Sequence, residues 1–293
     1  MKNPIKNIEL PCAANFFPEH WSHSLRYPNI KGYGSIEQPI LQKEFTLIEQ
    51  IERAEAFLRQ QGCQLVFAPL GKTTWGPYRV VRHSSQRPKF FNENVFEGSS
   101  QIWLDAGYTL EQNYTSTLAK HSKMERYSKQ KSLGLLEKGW RMTTLADFSI
   151  QDVLRPCYGL IERAFANALC FQPVTFAEFS EQYTPVLQRV DPRLVLMVWS
   201  PDNVLAGFCL SYPDILNPTL KQVVIKSLAV DPDFACLGLG SWMVGQTHQI
   251  ALRLGWDGDV IYALMAQSSH SQSISAHAGD VFREYGLYSK LLY

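Results

Sequence analysis

The 293-residue sequence has almost no net charge: 28 lysines and arginines stand against 27 aspartates and glutamates. Without a global basic field, a dedicated DNA binder is not expected, although a local basic site stays open. Long apolar runs are also missing. The longest are short stretches such as Val204–Leu210, far below the roughly 20 residues that span a bilayer, so no membrane partner is expected. Residues 1–17 place Asn3, Pro4, Lys6, Asn7 and Glu9 where an export signal needs an apolar core. The six cysteines (Cys12, Cys63, Cys157, Cys170, Cys209 and Cys236) are scattered and contain no C-x-x-C pair. That leaves neither a disulfide framework nor a zinc site, and the thiols read as reduced groups of a cytoplasmic, metal-free protein.

What is present is ordinary for a folded chain: 45% of residues are apolar and 19% charged. At roughly 150 residues per domain, the length suggests two domains. In the first half, Leu47, Ile48, Ile51, Ala54 and Leu58 trace a helical face ended by Gly62, and a strand follows over 64–70. A second strand is expected around 78–81 and a short helix over 99–106. A third strand is expected over 108–114, then a helix over 115–136 with Lys120, Lys123, Arg126 and Lys129 at spacing three. The second half reads as strand (140–145), two helices (150–165 and 175–190), and a hairpin over 194–212. It continues with a strand to Val230, a helix to Leu254, a strand over 260–265, a serine-rich helix, and a closing strand over 285–293.

The informative stretch is Ser227-Leu-Ala-Val-Asp-Pro-Asp-Phe-Ala-Cys-Leu-Gly-Leu-Gly-Ser241. A strand runs into a short loop, and Gly238 and Gly240 sit at the first turn of a helix. Amides there lack intrahelical acceptors, the dipole leaves positive potential, and glycine lets an anion approach closely. On glycine spacing alone, a tight turn without a ligand remains open. The stretch resembles the acyl-CoA site of the GNAT acetyltransferase superfamily: Val230-Asp231-Pro232 matches the first part of its motif and Gly238-Leu239-Gly240 the last. Element order over 140–293 matches too, and Ala235 stands where the family usually has Gln or Arg.

The resemblance implies a fold class of α/β (mixed α+β): a mixed, mostly antiparallel twisted sheet flanked by helices. It implies acetyl-CoA as co-substrate and an amine as its partner. Amides at Ala235, Cys236, Leu237, Gly238, Leu239, Gly240 and Ser241 would line the pyrophosphate site. Leu228, Ala229 and Val230 would offer backbone groups to the pantetheine arm, an amide at Ala229 or Val230 acting as oxyanion donor. Ser269 aligns with a family Asn that contacts pantetheine, and Tyr285 is the candidate acid toward the leaving thiolate. Where many relatives carry a basic carboxylate, this strand has Lys226, a cation unless buried. Asp214, His270, His277 or a water relay remain as candidate bases.

The first half echoes the second in a helix–glycine–strand order, and Ile102–Tyr108 resembles the family's closing pattern. The expected organisation is therefore a degenerate GNAT-like unit over 1–125 without the phosphate loop, a linking helix over 126–139, and the working unit over 140–293. Trp75, Tyr78 and Arg79 either line a ligand pocket or are core and surface groups. The expected function is acyl-CoA-dependent N-acyl transfer by direct attack in a ternary complex. Two alternatives stay open: a CoA-binding or interaction module without catalysis, and a transferase resembling the Fem group that uses charged tRNA.

Overall fold

The computed structural model describes residues 32–39, 45–71, 74–266 and 279–293, with the backbone alone at 125–132 and 264. The elements, in chain order, are β1 (Tyr33–Ser35), α1 (Leu47–Gln60), β2 (Leu65–Ala68), β3 (Val80–Ser84), α2 (Gln101–Asp105), β4 (Thr109–Ala119) and α3 (His121–Glu137). The second half adds β5 (Arg141–Thr144), α4 (Ile150–Phe165), α5 (Phe176–Leu187), β6 (Val195–Trp199), β7 (Leu205–Pro213), β8 (Val223–Val230), α6 (Leu239–Arg253), β9 (Val260–Ala266) and β10 (Gly279–Leu291). The expected mixed α/β architecture is present, as a large mixed sheet with helices on its faces.

Strands from both halves join one sheet in the order β1-β2-β10-β4-β9-β8-β7-β6-β5, with β3 also paired to β10. The middle of that order has an approximate two-fold pattern. At one end β1 runs parallel to β2, and at the other β8 runs parallel to β9. Helix α1 connects the first pair and α6 the second. Each pair is then met by an antiparallel strand from the opposite half of the chain, β10 against β2 and β4 against β9. Strands β4 and β10 lie antiparallel to each other at the centre, from Gly279↔Ala119 to Ser289↔Thr109.

Two boundaries differ from expectation. Residues 115–119, expected to open a helix, continue β4, and the helix begins at His121. Thr115, Thr117 and Leu118 pair with both β9 and β10, so two ladders and the β-branched threonines prevail over the helical spacing of the basic residues. The closing strand is longer than expected, 13 residues from Gly279. At its start, a Cβ on Gly279 would lie 1.8 Å from the Leu118 carbonyl oxygen, so only glycine fits against β4 there. The serine-rich helix expected after β9, with Ser269, His270 and His277, lies outside the described residues.

Two cores sandwich the C-terminal part of the sheet. On one face α3 and α6 bury Met124, Leu135, Trp242, Met243, Val244 and Ala251 against β5–β9. Helices α4 and α5 bury Val153, Leu154, Leu160, Ile161 and Phe179 on the other. Gly207 admits α6 closely, since a Cβ there would stand 2.8 Å from Met243 Cε. Phe90, from the first half, lies in the α4/α5 core, so the segment around it serves as a wall of the second half.

Candidate functional site

The start of α6 differs from those of α1, α4 and α5; α3 likewise has no side-chain cap, but its N-cap is Lys120 in an extended conformation. Helices α1, α4 and α5 are capped by the side chains of Thr46, Ser149 and Thr175. Helix α6 has no side-chain cap; its N-cap is Gly238, at φ +89°. The first helical bond runs from the Trp242 amide to the Gly238 carbonyl at 3.0 Å. The amides of Leu239, Gly240 and Ser241 are left without an acceptor among the described residues, which concentrates donors and positive dipole potential at one spot. Cys236, at φ +65°, turns the preceding loop back; it is exposed, as is Leu237, whereas Leu239 and Ser241 are buried. Asp231 fixes the other end of the loop. Its carboxylate accepts from the Asp233 amide at 3.1 Å and from Arg163 of α4 at 2.7 Å.

Strand β8 leads into that loop and carries a bulge. Leu210 of β7 faces Ser227 while Ser211 faces Ile225, so Lys226 is the extra residue. The parallel ladder to β9 ends at Ile225↔Tyr262. Beyond it, 227–230 pair with β7 but not with β9, and the two strands part on the side leading to α6. Leu228, Ala229 and Val230 therefore have one edge of backbone facing a gap, at the end of which lie the acceptorless amides of 239–241. Ala235 extends this line with backbone alone, while Ser269 lies outside the described residues.

The N-terminal half closes over this region. Trp75 donates its indole N–H to the Gln172 carbonyl at 2.9 Å and meets Phe171, Phe179 and Tyr183. The Arg79 guanidinium, almost wholly buried and on a backbone at φ +70°, stacks 3.5 Å from the Tyr78 ring and 4.0 Å from that of Tyr114. Burial lowers its pKa to about 10. Lys226, half-buried, donates to the Asn92 carbonyl at 3.1 Å. Burial, and then the charge of Arg79, lower its pKa to about 8. The Tyr183 hydroxyl is hydrogen-bonded to Ser227, and burial raises its pKa to about 12. Trp75, partly buried, thus packs against the second half, whereas Arg79 is a buried group between two tyrosines of the first half rather than a surface one. Lys226 was legible as a departure from the family pattern, but its altered acidity depends on a cation 147 positions away in sequence, which no local pattern signals.

Tyr285 lies on β10, with β4 and β9 between it and β8. It is fully buried; its hydroxyl donates to Glu93 Oε1 at 2.5 Å and lies 3.0 Å from Ser116 Oγ. Burial, followed by Glu93, raises its pKa. Glu93 also receives Arg283 at 2.6 and 2.7 Å. Of the candidate bases, Asp214 is buried and accepts from the Phe91 amide at 2.9 Å and from Asn217 at 2.8 Å. Among the described residues there is no group of three or more His, Cys, Asp or Glu placed to hold a metal, and no helix long and apolar enough to cross a membrane.

No family model and no curated protein matches this chain. Solved structures do. A GCN5-related N-acetyltransferase from Sphaerobacter thermophilus is similar over 83% of this chain and 66% of its own, at 14% identity and TM-score 0.51. A GCN5-related glucosamine N-acetyltransferase region of a fungal multi-domain GH3 β-N-acetylglucosaminidase is similar over 89% of this chain, at 10% identity and TM-score 0.55. A tandem GNAT protein from the clavulanic acid biosynthesis pathway is similar over 89% of this chain and 75% of its own, at 11% identity and TM-score 0.50. This chain spans about two thirds of the first protein's length and 30% of the second's. The likeness is one of fold, and the fold is that of the GCN5-related N-acetyltransferases.

Proposed function

We propose that the chain is an acyl-CoA-dependent N-acyltransferase that moves the acetyl group of acetyl-CoA to an amine. One observation carries this reading: β8 parts from β9 at a bulge, and the gap leads to a helix start whose first amides have no acceptor among the described residues. Such a start suits a pyrophosphate, and a parted strand edge suits an extended amide-bearing arm. In this reading the backbone of 235–241 holds the pyrophosphate and that of 228–230 the pantetheine, with Ser269 contributing to the latter. An amide at Ala229 or Val230 stabilises the developing oxyanion, and the thioester supplies an activated acyl group for direct attack. Residues 140–293 form the working unit and 1–125 a degenerate copy joined to it through 126–139. The approximate two-fold pattern of the sheet and the contacts of Trp75 and Asn92 support that division of labour, in which the first copy shapes the acceptor cleft.

Tyr285 is the acid in this reading. Its raised pKa keeps the hydroxyl protonated at neutral pH, and the role requires that its bond to Glu93 open during turnover. Calorimetry with acetyl-CoA is expected to show one saturable site, and a thiol-release screen over an amine panel to show turnover. Tyr285→Phe is expected to bind acetyl-CoA as the parent does and to release thiol at least tenfold more slowly. A parent protein that fails to bind acetyl-CoA sinks the whole reading. A variant that is merely less stable, with an unchanged rate per folded molecule, removes Tyr285 from the chemistry and leaves it a packed tyrosine.

A further inference from the structure

Residues 214–222 connect β7 to β8 at the end of the sheet opposite the proposed acyl-CoA gap. Strand β8 starts beside them at Val223 and reaches the gap at Val230, about 25 Å away along the strand. The connection inverts the usual partition of side chains. Its carboxylate, Asp214, is buried, whereas Ile215 and Leu216 are 59% and 56% exposed and Leu220 is 38% exposed. One exposed aliphatic side chain means little, but three within a short connection form a patch.

Hydrogen bonds fix that arrangement. The Asp214 carboxylate accepts from the Phe91 amide at 2.9 Å and from Asn217 Nδ2 at 2.8 Å, and the same nitrogen donates to the Lys89 carbonyl at 2.8 Å. The Asp214 amide donates to the Gln222 carbonyl at 2.8 Å, and the Leu220 amide to the Asn217 carbonyl at 3.0 Å. Turning Ile215 and Leu216 inward would strip a buried carboxylate of its donors, a costly exchange.

The surroundings of the patch are basic. Lys221 is exposed and has no ion-pair partner among the described residues. Arg87 donates to Gln222 Oε1 at 2.7 Å, so the segment that carries Arg87 and Lys89 lies alongside. Lys89 meets Glu97 at 3.4 Å in an exposed pair that holds little. Asp214, the one carboxylate of the connection, faces inward. Three aliphatic side chains fall far short of the roughly 800 Å² that each partner of a stable protein complex buries. A bilayer needs no matching surface. Apolar side chains enter its headgroup region, and an anionic leaflet attracts each nearby cation.

We propose that the 214–222 connection docks the protein on an anionic membrane surface, with Ile215, Leu216 and Leu220 entering the headgroup region and Arg87, Lys89 and Lys221 meeting the lipid phosphates. The contact is with one leaflet and differs from spanning, for which no described helix is long and apolar enough. It stands independently of the acyl-transfer reading, because the gap lies at the other end of β8.

The test sediments the full-length protein with vesicles of phosphatidylcholine alone and with vesicles containing about 30% phosphatidylglycerol, an anionic lipid. Binding to the anionic vesicles is expected to be saturable and at least tenfold stronger than to the neutral ones, and to weaken at least fivefold at about 0.5 M salt. The double variant Ile215→Ser/Leu216→Ser should lose at least tenfold of that binding with an unchanged urea midpoint, and Lys221→Glu at least threefold. Leu216→Trp should keep the binding, and its added fluorescence should be quenched by brominated lipid; this readout decides the matter should the double variant fail to fold. Absence of vesicle binding, equal binding to both vesicles, a folded double variant that binds like the parent, or an added tryptophan that brominated lipid leaves unquenched overturns the proposal. Self-association of the parent that the double variant abolishes, without vesicle binding, overturns it in favour of a second copy of the chain as the occupant.

Discussion

Single positions differ in how openly they declare their role. Gly238 was legible in the sequence because a glycine just before a helical pattern is a local signal, and its φ of +89° is a conformation that other residues rarely adopt. Gly238→Val therefore both strains the backbone, by about 1–2 kcal/mol, and places a branched side chain among the open amides. Acetyl-CoA affinity is expected to fall at least tenfold by calorimetry while the far-UV spectrum is retained; unchanged affinity would put the pyrophosphate elsewhere. His248 carried no such signal. It lies in the middle of α6 and its environment comes from other elements: Nδ1 faces the Gly258 carbonyl at 2.6 Å and Nε2 faces the Tyr262 hydroxyl at 2.9 Å. The carbonyl accepts only, so the Nδ1 proton points there and Nε2 accepts from the tyrosine, a neutral ring satisfied on both sides. Burial lowers its pKa to about 4 from about 6.5. Between those values the unfolded chain binds the extra proton and the folded one does not. Stability is thus complete above about 6.5 and declines toward 4, by up to about 1.4 kcal/mol per pH unit from this residue. Urea midpoints at pH 7.5, 6 and 5 should fall in that order, and His248→Gln should flatten the trend; a parallel fall in the variant assigns the acid sensitivity to other groups.

Helices and strands with a strong internal period were legible: α1, α4, the β6–β7 hairpin and β9 all form close to where their apolar spacing places them. Elements whose identity depends on partners were not. The 115–119 stretch has residues acceptable to a helix, and only the ladders on both of its edges make it a strand. Residues 85–97 lack any period, yet they tie the two halves together. Within them Glu93, almost fully buried, meets Arg283 of β10, also buried, at 2.6 Å. The same arginine donates to the Arg87 carbonyl at 2.5 Å. Glu93→Ala leaves a buried guanidinium without its carboxylate, a change that costs about 3–5 kcal/mol. By contrast, Lys89–Glu97 in the same segment has side chains 49% and 90% exposed, and Glu97→Ala is expected to cost less than about 1 kcal/mol. Chemical denaturation of the two variants separates a structural tie from a solvated pair. Similar midpoints for both would mean that the 85–97 segment does not hold the halves together.

At the scale of the molecule, the sequence suggested two units, and the described sheet shows how intimately their strands interleave. The local signals for β4 and β10 said that strands would form; nothing local said that each would lie against the other half, because that choice is made by edges far apart in the chain. The consequence is energetic. Strand β10 pairs with β2, β3 and β4, and β9 has β4 on its outer edge. A fragment of 140–293 would strip β10 of all three partners and open the edge of β9, exposing Tyr285, Leu287 and Tyr288, which are almost fully buried in the whole chain. Unpaired edges with apolar faces lead to aggregation rather than to a folded state. The full chain is therefore expected to unfold in one cooperative transition by both tryptophan fluorescence and far-UV dichroism. The 140–293 fragment is expected to be aggregated, or to lack dispersed amide resonances, even with acetyl-CoA present. Two separated transitions in the full chain, or a monomeric fragment with a cooperative melt of its own, would mean that the interleaved strands contribute little and that each half folds independently. If the expectation holds, the first half is retained for a physical reason that does not depend on any ligand: without its strand β4, the strand β9 that borders the proposed acyl-CoA gap has no partner on its far side.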